Sequence, residues 1–395
     1  MNYTLQFRTK TMNIQRQNPR SNKYWGIAID AGYSSIKGMS PNKIYCFPSY
    51  AKRIESEEYF IGKADKNRIL YKDGNTGEIW VVGAMAQNMI QLKDTDDSIA
   101  TLYGRNRYFS TMFKVITRTG IACGLKPNSY GQKPDYMPIM IQTGLPSAYK
   151  GDAADLRESL SGHHDFYLKF ADEPWEHYEY DINPSNVFIM PQPMGTFQSI
   201  CTNKDGCKIY DATKYIKSNM LIFDPGFGTL DTINIQNQVL EGDGETFPEL
   251  SMKRVLSLVS DRIYNDYGTR IPVPAMQKYL ETGEFVIRNR KEMKTSKLDF
   301  SDILAECNKE ICMKAIEQIK SVYDDLFEHD YLVITGGTGE AWAKMIREHF
   351  SGMETLTVID GNQNDTSLPF IFSNVRGYYM SLLDTIKMMA RAEKK

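Results

Sequence analysis

The chain has little of what metalloproteins and disulfide-rich proteins depend on. Its 395 residues include only five histidines and six cysteines, and no two cysteines form a Cys-x-x-Cys pair. No histidine lies at zinc-ligand spacing from a cysteine, which excludes a zinc-built fold. Reduced thiols in a cytoplasmic protein are the simplest interpretation of the six cysteines: Cys46, Cys123, Cys201, Cys207, Cys307 and Cys312.

A large excess of charge of either sign is also missing. The net charge is −2 and the isoelectric point is about 6.3, which argues against direct nucleic-acid binding as the main activity. No apolar run reaches the roughly eighteen residues that suggest a membrane span. The sequence therefore predicts a cytoplasmic protein that neither spans a membrane nor contacts nucleic acid directly.

Acidic residues are absent from the first 22 positions, which carry Arg8, Lys10, Arg16 and Arg20. This stretch lacks the apolar core of a secretory signal. We therefore expect a flexible basic tail over residues 1–22, ordered only in an assembly.

What the chain does contain is one pattern that occurs twice, nearly two hundred residues apart. Residues 26–37 and residues 221–231 each begin with a short apolar run and continue with Asp-x-Gly, an aromatic residue and small or hydroxyl residues. An apolar run that ends in a glycine turn predicts a buried strand entering a tight hairpin. Such an internal duplication predicts two similar units that pack around a shared cleft.

The side chains of both hairpins suit a phosphate. Glycine lets the backbone approach a ligand and direct N–H groups at an anion, and Lys37 adds a positive charge. Asp30 and Asp224, each at a strand end, suit a metal ion that is held through water. The alternative is two ordinary β-turns, because Asp and Gly are common turn residues; the matched repeat favours the phosphate interpretation.

A third glycine-rich loop follows late in the chain. Residues 331–335 predict a strand, Gly336-Gly337-Thr338-Gly339 a turn, and Glu340 the start of a helix. Such a loop allows the backbone to lie against a base, a sugar or a phosphate, with a helix N-terminus nearby.

These three motifs, in this order, resemble the phosphate 1, phosphate 2 and adenosine motifs of the actin-like ATPases. Within that superfamily the chain is most similar to the ParM-type bacterial actins, which form filaments that segregate plasmids. Lys37, seven positions after Asp30, matches the phosphate-contacting lysine of the family. The segments 142–146 and 374–378 resemble the two connecting motifs. The resemblance covers about residues 23 to 390.

The resemblance implies ATP or GTP with Mg2+ as ligands, and a set of contacting residues. Asp30 and Asp224 would hold the metal, mostly through water. We expect these residues to contact the nucleotide: Gly32, Tyr33, Ser34, Ser35, Lys37, Gly226, Phe227, Gly228, Thr229, Lys253, Gly336, Gly337 and Thr338.

Two positions depart from the family pattern. Gln192 stands where relatives often carry an acidic residue near the attacking water, and a neutral amide can orient water but cannot accept its proton. The proton would then pass to solvent, to phosphate or to a carboxylate such as Asp224, so Gln192 and Asp224 are the expected catalytic residues. The alternative is an exposed Gln192 in a rigid loop. Tyr33 is bulky where the family usually has a small residue.

The implied fold class is α/β: an actin-like, ribonuclease H-like duplicated fold of two domains, with a nucleotide cleft between them. We expect a first domain over 23–190 plus 366–395, with a small insert at about 48–105. The second domain would span 191–365, with an insert at about 255–325.

The leading functional hypothesis is a filament-forming nucleoside triphosphatase that segregates plasmid DNA. Its expected partners are further copies of itself and a ParR-like DNA-binding adaptor. The alternatives are a soluble sugar or acid kinase of the same superfamily, a monomeric chaperone-like ATPase and a cytoskeletal protein with another cargo. No substrate-side base for a kinase can be placed in the sequence, and no substrate-binding domain follows the motifs.

Overall fold

The fold is taken from a computed structural model, which describes residues 3–57, 65–90, 104–127, 137–289 and 293–392. Four sheets, one of them a two-stranded hairpin, and ten α-helices make up most of these residues. Parts of the predicted insert, residues 58–64 and 91–103, lie outside them.

The first large sheet has six strands in the order β1-β4-β3-β2-β8-β11. Strands β2, β3 and β4 form two antiparallel hairpins, whereas β8 and β11 run parallel to β2. The central strands are buried on both faces, which explains their nearly continuous apolar sequence. The bounds are Met12–Gln15 (β1), Trp25–Ala31 (β2), Ser35–Met39 (β3), Lys43–Pro48 (β4), Ile139–Leu145 (β8) and Val187–Pro191 (β11).

The second large sheet has five strands in the order β14-β13-β12-β17-β18. Strands β12, β13 and β14 are antiparallel neighbours, and β17 and β18 run parallel to β12. This is the arrangement of β2, β3, β4, β8 and β11, so the predicted internal repeat is confirmed. The bounds are Met220–Pro225 (β12), Leu230–Gln236 (β13), Val239–Phe247 (β14), Tyr331–Ile334 (β17) and Thr357–Asp360 (β18).

A smaller five-stranded sheet, in the order β10-β9-β6-β7-β5, lies beside the first half. Three of its strands come from the predicted insert, and a later hairpin supplies the other two. The bounds are Ala51–Ile54 (β5), Ile69–Asp73 (β6), Ile79–Val82 (β7), Gly162–Phe170 (β9) and Glu176–Ile182 (β10). A separate hairpin consists of Glu284–Asn289 (β15) and Lys294–Asp299 (β16).

The helices pack on the faces of these sheets, as expected for an α/β fold. The longest helix of the described residues ends at Val322, where a short 3-10 turn follows. The bounds are Ala84–Asn88 (α1), Thr111–Leu125 (α2), Ala153–Leu160 (α3), Gln192–Cys201 (α4), Ala212–Lys217 (α5), Met252–Tyr267 (α6), Val273–Tyr279 (α7), Ser301–Val322 (α8), Gly336–Phe350 (α9) and Ser373–Ala392 (α10).

Helices α4 and α10 follow the last strand of each repeat and cross each other between the two large sheets. They meet at Gly195 and Gly377, and a Cβ atom on Gly377 would overlap the carbonyl oxygen of Gly195. Only glycine permits this approach of two helix backbones. The close crossing is one of the places where the two halves meet.

The N-terminal segment differs from the predicted flexible tail. Residues Tyr3–Phe7 form a 3-10 turn, and β1 adds an antiparallel strand to the edge of the first sheet through β4. The side chain of Thr4 is fully buried. The segment is therefore packed against the rest of the chain as far as the structure describes it.

In the described part of the chain, no helix combines the length and the apolar composition that crossing a membrane requires.

Candidate functional site

The first Asp-x-Gly hairpin joins β2 to β3. Asp30 and Lys37 are paired across the two strands, and Lys37 Nζ lies 2.8 Å from Asp30 Oδ2. A Cβ atom on Gly32 would lie 2.7 Å from Lys37 Nζ, so the glycine leaves room for the lysine. The Gly32 carbonyl accepts a hydrogen bond from Ser49 Oγ at 2.8 Å, which fixes the turn.

The second hairpin joins β12 to β13 and repeats this geometry. The Gly226 N–H donates to the carbonyl of Thr229 at 2.8 Å, which closes the turn. Asp224 is paired across the strands with Asp231, in the register that joins Asp30 to Lys37. Asp231 therefore occupies the place of Lys37 in the second repeat.

Asp231 belongs to the site, and the sequence interpretation did not include it. Its side chain is buried and accepts hydrogen bonds from Thr229 Oγ1 at 2.7 Å and from Thr246 Oγ1 at 2.6 Å. The backbone N–H of Ser147 donates to it as well, at 3.3 Å. The seven-residue spacing from Asp224, equal to that from Asp30 to Lys37, was the signal that could have revealed it.

Three carboxylates thus surround the end of the cleft: Asp30, Asp224 and Asp231 are 3%, 5% and 2% exposed. Burial, together with the negative charge of Asp231, raises the pKa of Asp224 to about 7. Burial also raises the pKa of Asp231 to about 6, although the hydrogen bonds from the two threonines lower it. Lys37 is the cation that partly offsets this charge.

The glycine-rich loop brings the third motif to the same place. The helix begins at Gly336, four residues earlier than the sequence predicted, and Gly336 has a φ of 76° that favours glycine. A Cβ atom there would lie 2.5 Å from Asp224 Oδ1. Thr338 Oγ1 donates to the Gly226 carbonyl at 2.9 Å, which ties the loop to the second hairpin.

Two amides contact the carboxylates from the crossing helices. Gln192 is the first residue of α4, rather than part of a loop, and its Nε2 lies 3.4 Å from Asp30 Oδ1. Asn374, near the start of α10, donates from Nδ2 to Asp224 Oδ2 at 2.6 Å. The sequence interpretation placed Asn374 in a connecting motif but did not assign it to the site.

The two hairpins also touch each other across the cleft. The ring of Tyr33 lies against Gly228, and the Arg107 guanidinium lies 4.3 Å from the centre of that ring. Lys253 lies in an adjoining pocket that Tyr33, Gly228 and Thr229 also line, and burial lowers its pKa. Tyr33 therefore separates the main cleft from this side pocket.

Every residue that the sequence predicted for the site lies in the main cleft, except Lys253 in the side pocket. Ser34 and Ser35 line it beside Lys37, and Phe227 beside Gly226. The cleft has a further wall that the sequence did not indicate. It consists of residues of the N-terminal segment: Gln6, Phe7, Arg8, Thr9 and Lys10.

The residues present fit a divalent cation held mainly through water. Three buried carboxylates face one Lys37 side chain, so the site carries excess negative charge that a cation would neutralise. Among the described residues, no group of three or more histidine, cysteine or acidic side chains has the geometry to enclose a metal directly. Mg2+ usually keeps several waters and needs only one or two carboxylates.

Comparisons with known proteins agree with this architecture. Residues 28–195 match the family described as "Actin like proteins N terminal domain". A non-polymerisable quadruple mutant of pCBH ParM superposes with a TM-score of 0.69 at 22% identity, over 90% of this chain and 98% of that one. No curated protein matches the sequence.

Two further solved structures have the same fold. A 15-stranded ParM filament from Clostridium botulinum gives a TM-score of 0.68 at 19% identity, covering 92% of this chain and 99% of that one. The archaeal actin homologue Ta0583, in complex with ADP, gives 0.58 at 13% identity, covering 90% and 98%. Similarity at this level of identity establishes the fold.

Proposed function

We propose that this chain, an actin-like protein of the ParM type, is a nucleoside triphosphatase that assembles into filaments when its cleft binds ATP or GTP. The observation that supports this most is the placement of two equivalent hairpins, one from each repeat, on one cleft. Their buried carboxylates and glycine turns face the same space from both halves.

Phosphate recognition would come from both hairpins together. The glycine turns at Gly32 and Gly226 let the backbone approach a phosphate closely, and Lys37 would provide the positive charge. The hydroxyl group of Ser34 can donate to phosphate oxygens, whereas that of Thr229 donates to Asp231. The glycine-rich loop at Gly336, which Thr338 ties to Gly226, would support the nucleoside.

Asp30 and Asp224 would hold Mg2+ through water, with Asp231 adding negative charge behind them. When bound, the ion would neutralise negative charge on the phosphates. The chain's own contribution is to keep these carboxylates in place. Lys37 pairs with Asp30 and Asn374 with Asp224, so each carboxylate keeps one oxygen fixed by a partner.

Hydrolysis would depend on positioning a water molecule, because phosphoryl transfer needs little covalent chemistry from the protein. Gln192 is the candidate, since its amide already lies beside Asp30 at the cleft. Its position at the first turn of α4 links it to the helix crossing.

Because Gln192 lies on one of the crossing helices, the state of the nucleotide would affect how the two halves are arranged, and through that the assembly of subunits. A γ-phosphate that contacts both hairpins favours the closed arrangement of the two halves, and a diphosphate bridges them less well. The crossing at Gly195 and Gly377 is the point about which they would move. Closed subunits would stack head-to-tail in a contact that repeats without closing.

The proposed cellular role is segregation of plasmid DNA in the cytoplasm through a ParR-like adaptor. The near-neutral charge of the chain suits an adaptor that supplies the DNA contact. Adding that adaptor with its DNA repeat should then increase filament mass or anchor filament ends. The same DNA without an adaptor should have no effect.

Sedimentation with ATP, GTP, ADP or no nucleotide tests the proposal, in Mg2+ and again after chelation. We expect pelleting with a triphosphate and Mg2+, accompanied by release of phosphate. A chain that stays in the supernatant under every condition would refute filament formation. Consumption of ATP only after a sugar or an organic acid is added would favour the kinase alternative.

A further inference from the structure

The N-terminal segment lines part of the cleft and is attached to both halves. We call residues 3–20 the strap. In the second half, Thr4 Oγ1 donates to the Leu280 carbonyl at 2.7 Å, and the Thr9 N–H donates to Gln277 Oε1 at 3.0 Å. Thr4 and Gln277 are buried. The first residues of the strap are thus fixed to α7 and the residue that follows it.

The strap is fixed to the first half as well. Thr9 Oγ1 donates to Gln87 Oε1 at 2.9 Å, and Arg8 lies beside Asn88 at the end of α1. Thr9 therefore contacts both α1 and α7, which belong to opposite halves. Further along, β1 pairs with β4 and extends the first sheet.

A third attachment reaches the region of the helix crossing. Arg16 forms a salt bridge of 2.8 Å with Asp365, whose side chain is fully buried. Asp365 also lies 3.9 Å from the buried guanidinium of Arg376 in α10. Tyr379 of the same helix donates to the Pro19 carbonyl at 2.6 Å. The strap is therefore bonded to both walls and to a helix of the crossing.

Between these attachments, residues 6–10 face the space that the phosphate hairpins and the glycine-rich loop enclose. Phe7 is nearly buried, whereas Lys10 is exposed. Burial raises the pKa of Glu340 in α9, and the positive charge of Lys10 opposes this shift. The strap carries four basic residues and no acidic one, so its charge is complementary to an anionic ligand.

We propose that residues 6–10 form a wall of the nucleotide site and that the strap retains bound nucleotide by joining the two halves across the cleft. This inference depends on the proposed nucleotide binding. Nucleotide bound against residues 6–10 would lie beside a segment that is bonded to both halves, so those bonds would hold the wall in place while the nucleotide is bound. The strap should therefore slow release more than it changes the chemistry.

The test uses full-length protein with radiolabelled ADP and Mg2+, and measures release of label after a chase with unlabelled ADP. The variant Arg8→Ala/Thr9→Val removes the Glu281 ion pair and the Thr9 hydroxyl donor while keeping the backbone. We expect release to be about fivefold faster, as the loss of one or two hydrogen bonds implies. Arg270→Ala is the matched control, because it removes an arginine ion pair with Asp261 at an exposed position.

A second variant reports on the charge of the wall. Lys10→Gln removes the charge but keeps a polar side chain at an exposed position, so the fold should tolerate it. We expect slower association of ATP at low ionic strength, and a smaller difference at high ionic strength. A purely structural role of the strap would lower thermal stability without changing either rate.

The outcomes separate the two proposals. Wild-type protein that binds ADP, together with both variants that release and bind nucleotide at wild-type rates, would overturn the role of the strap alone. Wild-type protein that binds neither ADP nor ATP would overturn the nucleotide site and the strap proposal together. Faster release from the double variant but not from Arg270→Ala supports the strap.

Discussion

The ring of Tyr33 lies directly against Gly228, so the two phosphate hairpins touch across the cleft. Arg107 holds the ring from behind, with its guanidinium 4.3 Å from the ring centre, and donates to the Ala31 carbonyl at 2.8 Å. The Tyr33 ring on the first hairpin thus occupies the space that a side chain at position 228 of the second hairpin would need. This pair explains how the first hairpin accommodates a tyrosine.

Gly228→Ala should hinder closure of the cleft, because the new methyl group would overlap the Tyr33 ring. Overpacking of this kind costs about 1 to 3 kcal/mol. We therefore expect nucleotide affinity, measured by titration calorimetry, to fall about tenfold or more. Gly151→Ala is the control, since a Cβ atom there meets no other atom within 4 Å.

A double-mutant cycle makes this prediction specific. Combining Gly228→Ala with Tyr33→Ala removes the overlap, so the two effects should not add. Additive losses in the double variant would show that the contact between these residues does not control closure.

Asp224→Ala should abolish hydrolysis and leave the fold intact. The variant removes one of three buried carboxylates, so it relieves charge repulsion, although the Asn374 amide loses its acceptor at a cost of about 1–3 kcal/mol. We expect phosphate release to fall more than about a hundredfold, with an unchanged circular dichroism spectrum. Asp211→Ala, at an exposed position, controls for the loss of a carboxylate. Normal turnover by Asp224→Ala would remove this residue from the site.

Gln192→Ala should slow hydrolysis by about tenfold to a hundredfold, because the water would lose the group that orients it. Filaments formed with ATP should then persist longer, which light scattering after a single addition of ATP can follow. Gln198→Ala makes the same change further along α4. Equal rates of phosphate release in wild type and Gln192→Ala would refute the assigned role.

The parts of the fold that the sequence revealed are those with a local signature. The hairpins at Asp30 and Asp224 were recognisable because an apolar run and a glycine turn are adjacent in the chain. The duplicated sheets then followed from the repeat. The helix Ser301–Val322 has a local signature of the same kind, because its buried apolar residues recur at helical spacing.

The missed features all depend on contacts between distant positions. The pairing of β12 with β13 places Asp231 opposite Asp224. Asn374 contacts Asp224 although 150 residues separate them in the chain. The strap is basic, has no acidic residue and lacks a continuous apolar core, so its composition predicted a tail. Its order comes instead from the pairing of β1 with β4 and from bonds to remote partners, such as Thr4 to Leu280. No local pattern reports such bonds.

A buried histidine in the smaller sheet makes stability depend on pH. His164 lies on β9 and is 3% exposed. Arg118 of α2 donates from Nε to His164 Nδ1 at 3.1 Å, and the Tyr180 ring stacks on the imidazole at 5.0 Å. Burial first, and then the charge of Arg118, lower the pKa of His164 to about 4. Lys114 and His163 act in the same direction, and a backbone hydrogen bond at Leu160 opposes them.

The unfolded chain therefore binds a proton at His164 near pH 6.5, where the folded chain does not. Between about pH 6.5 and pH 4 the unfolded state binds more protons, so stability falls as the pH falls through this range. A shift of this size corresponds to a loss of about 2 kcal/mol on going from pH 7 to pH 5. His164→Gln keeps an acceptor for Arg118 but cannot titrate, so its thermal midpoint should drop less between these pH values. His177→Gln, at an exposed ring, is the control. Identical pH dependence in wild type and His164→Gln would contradict a neutral, buried His164.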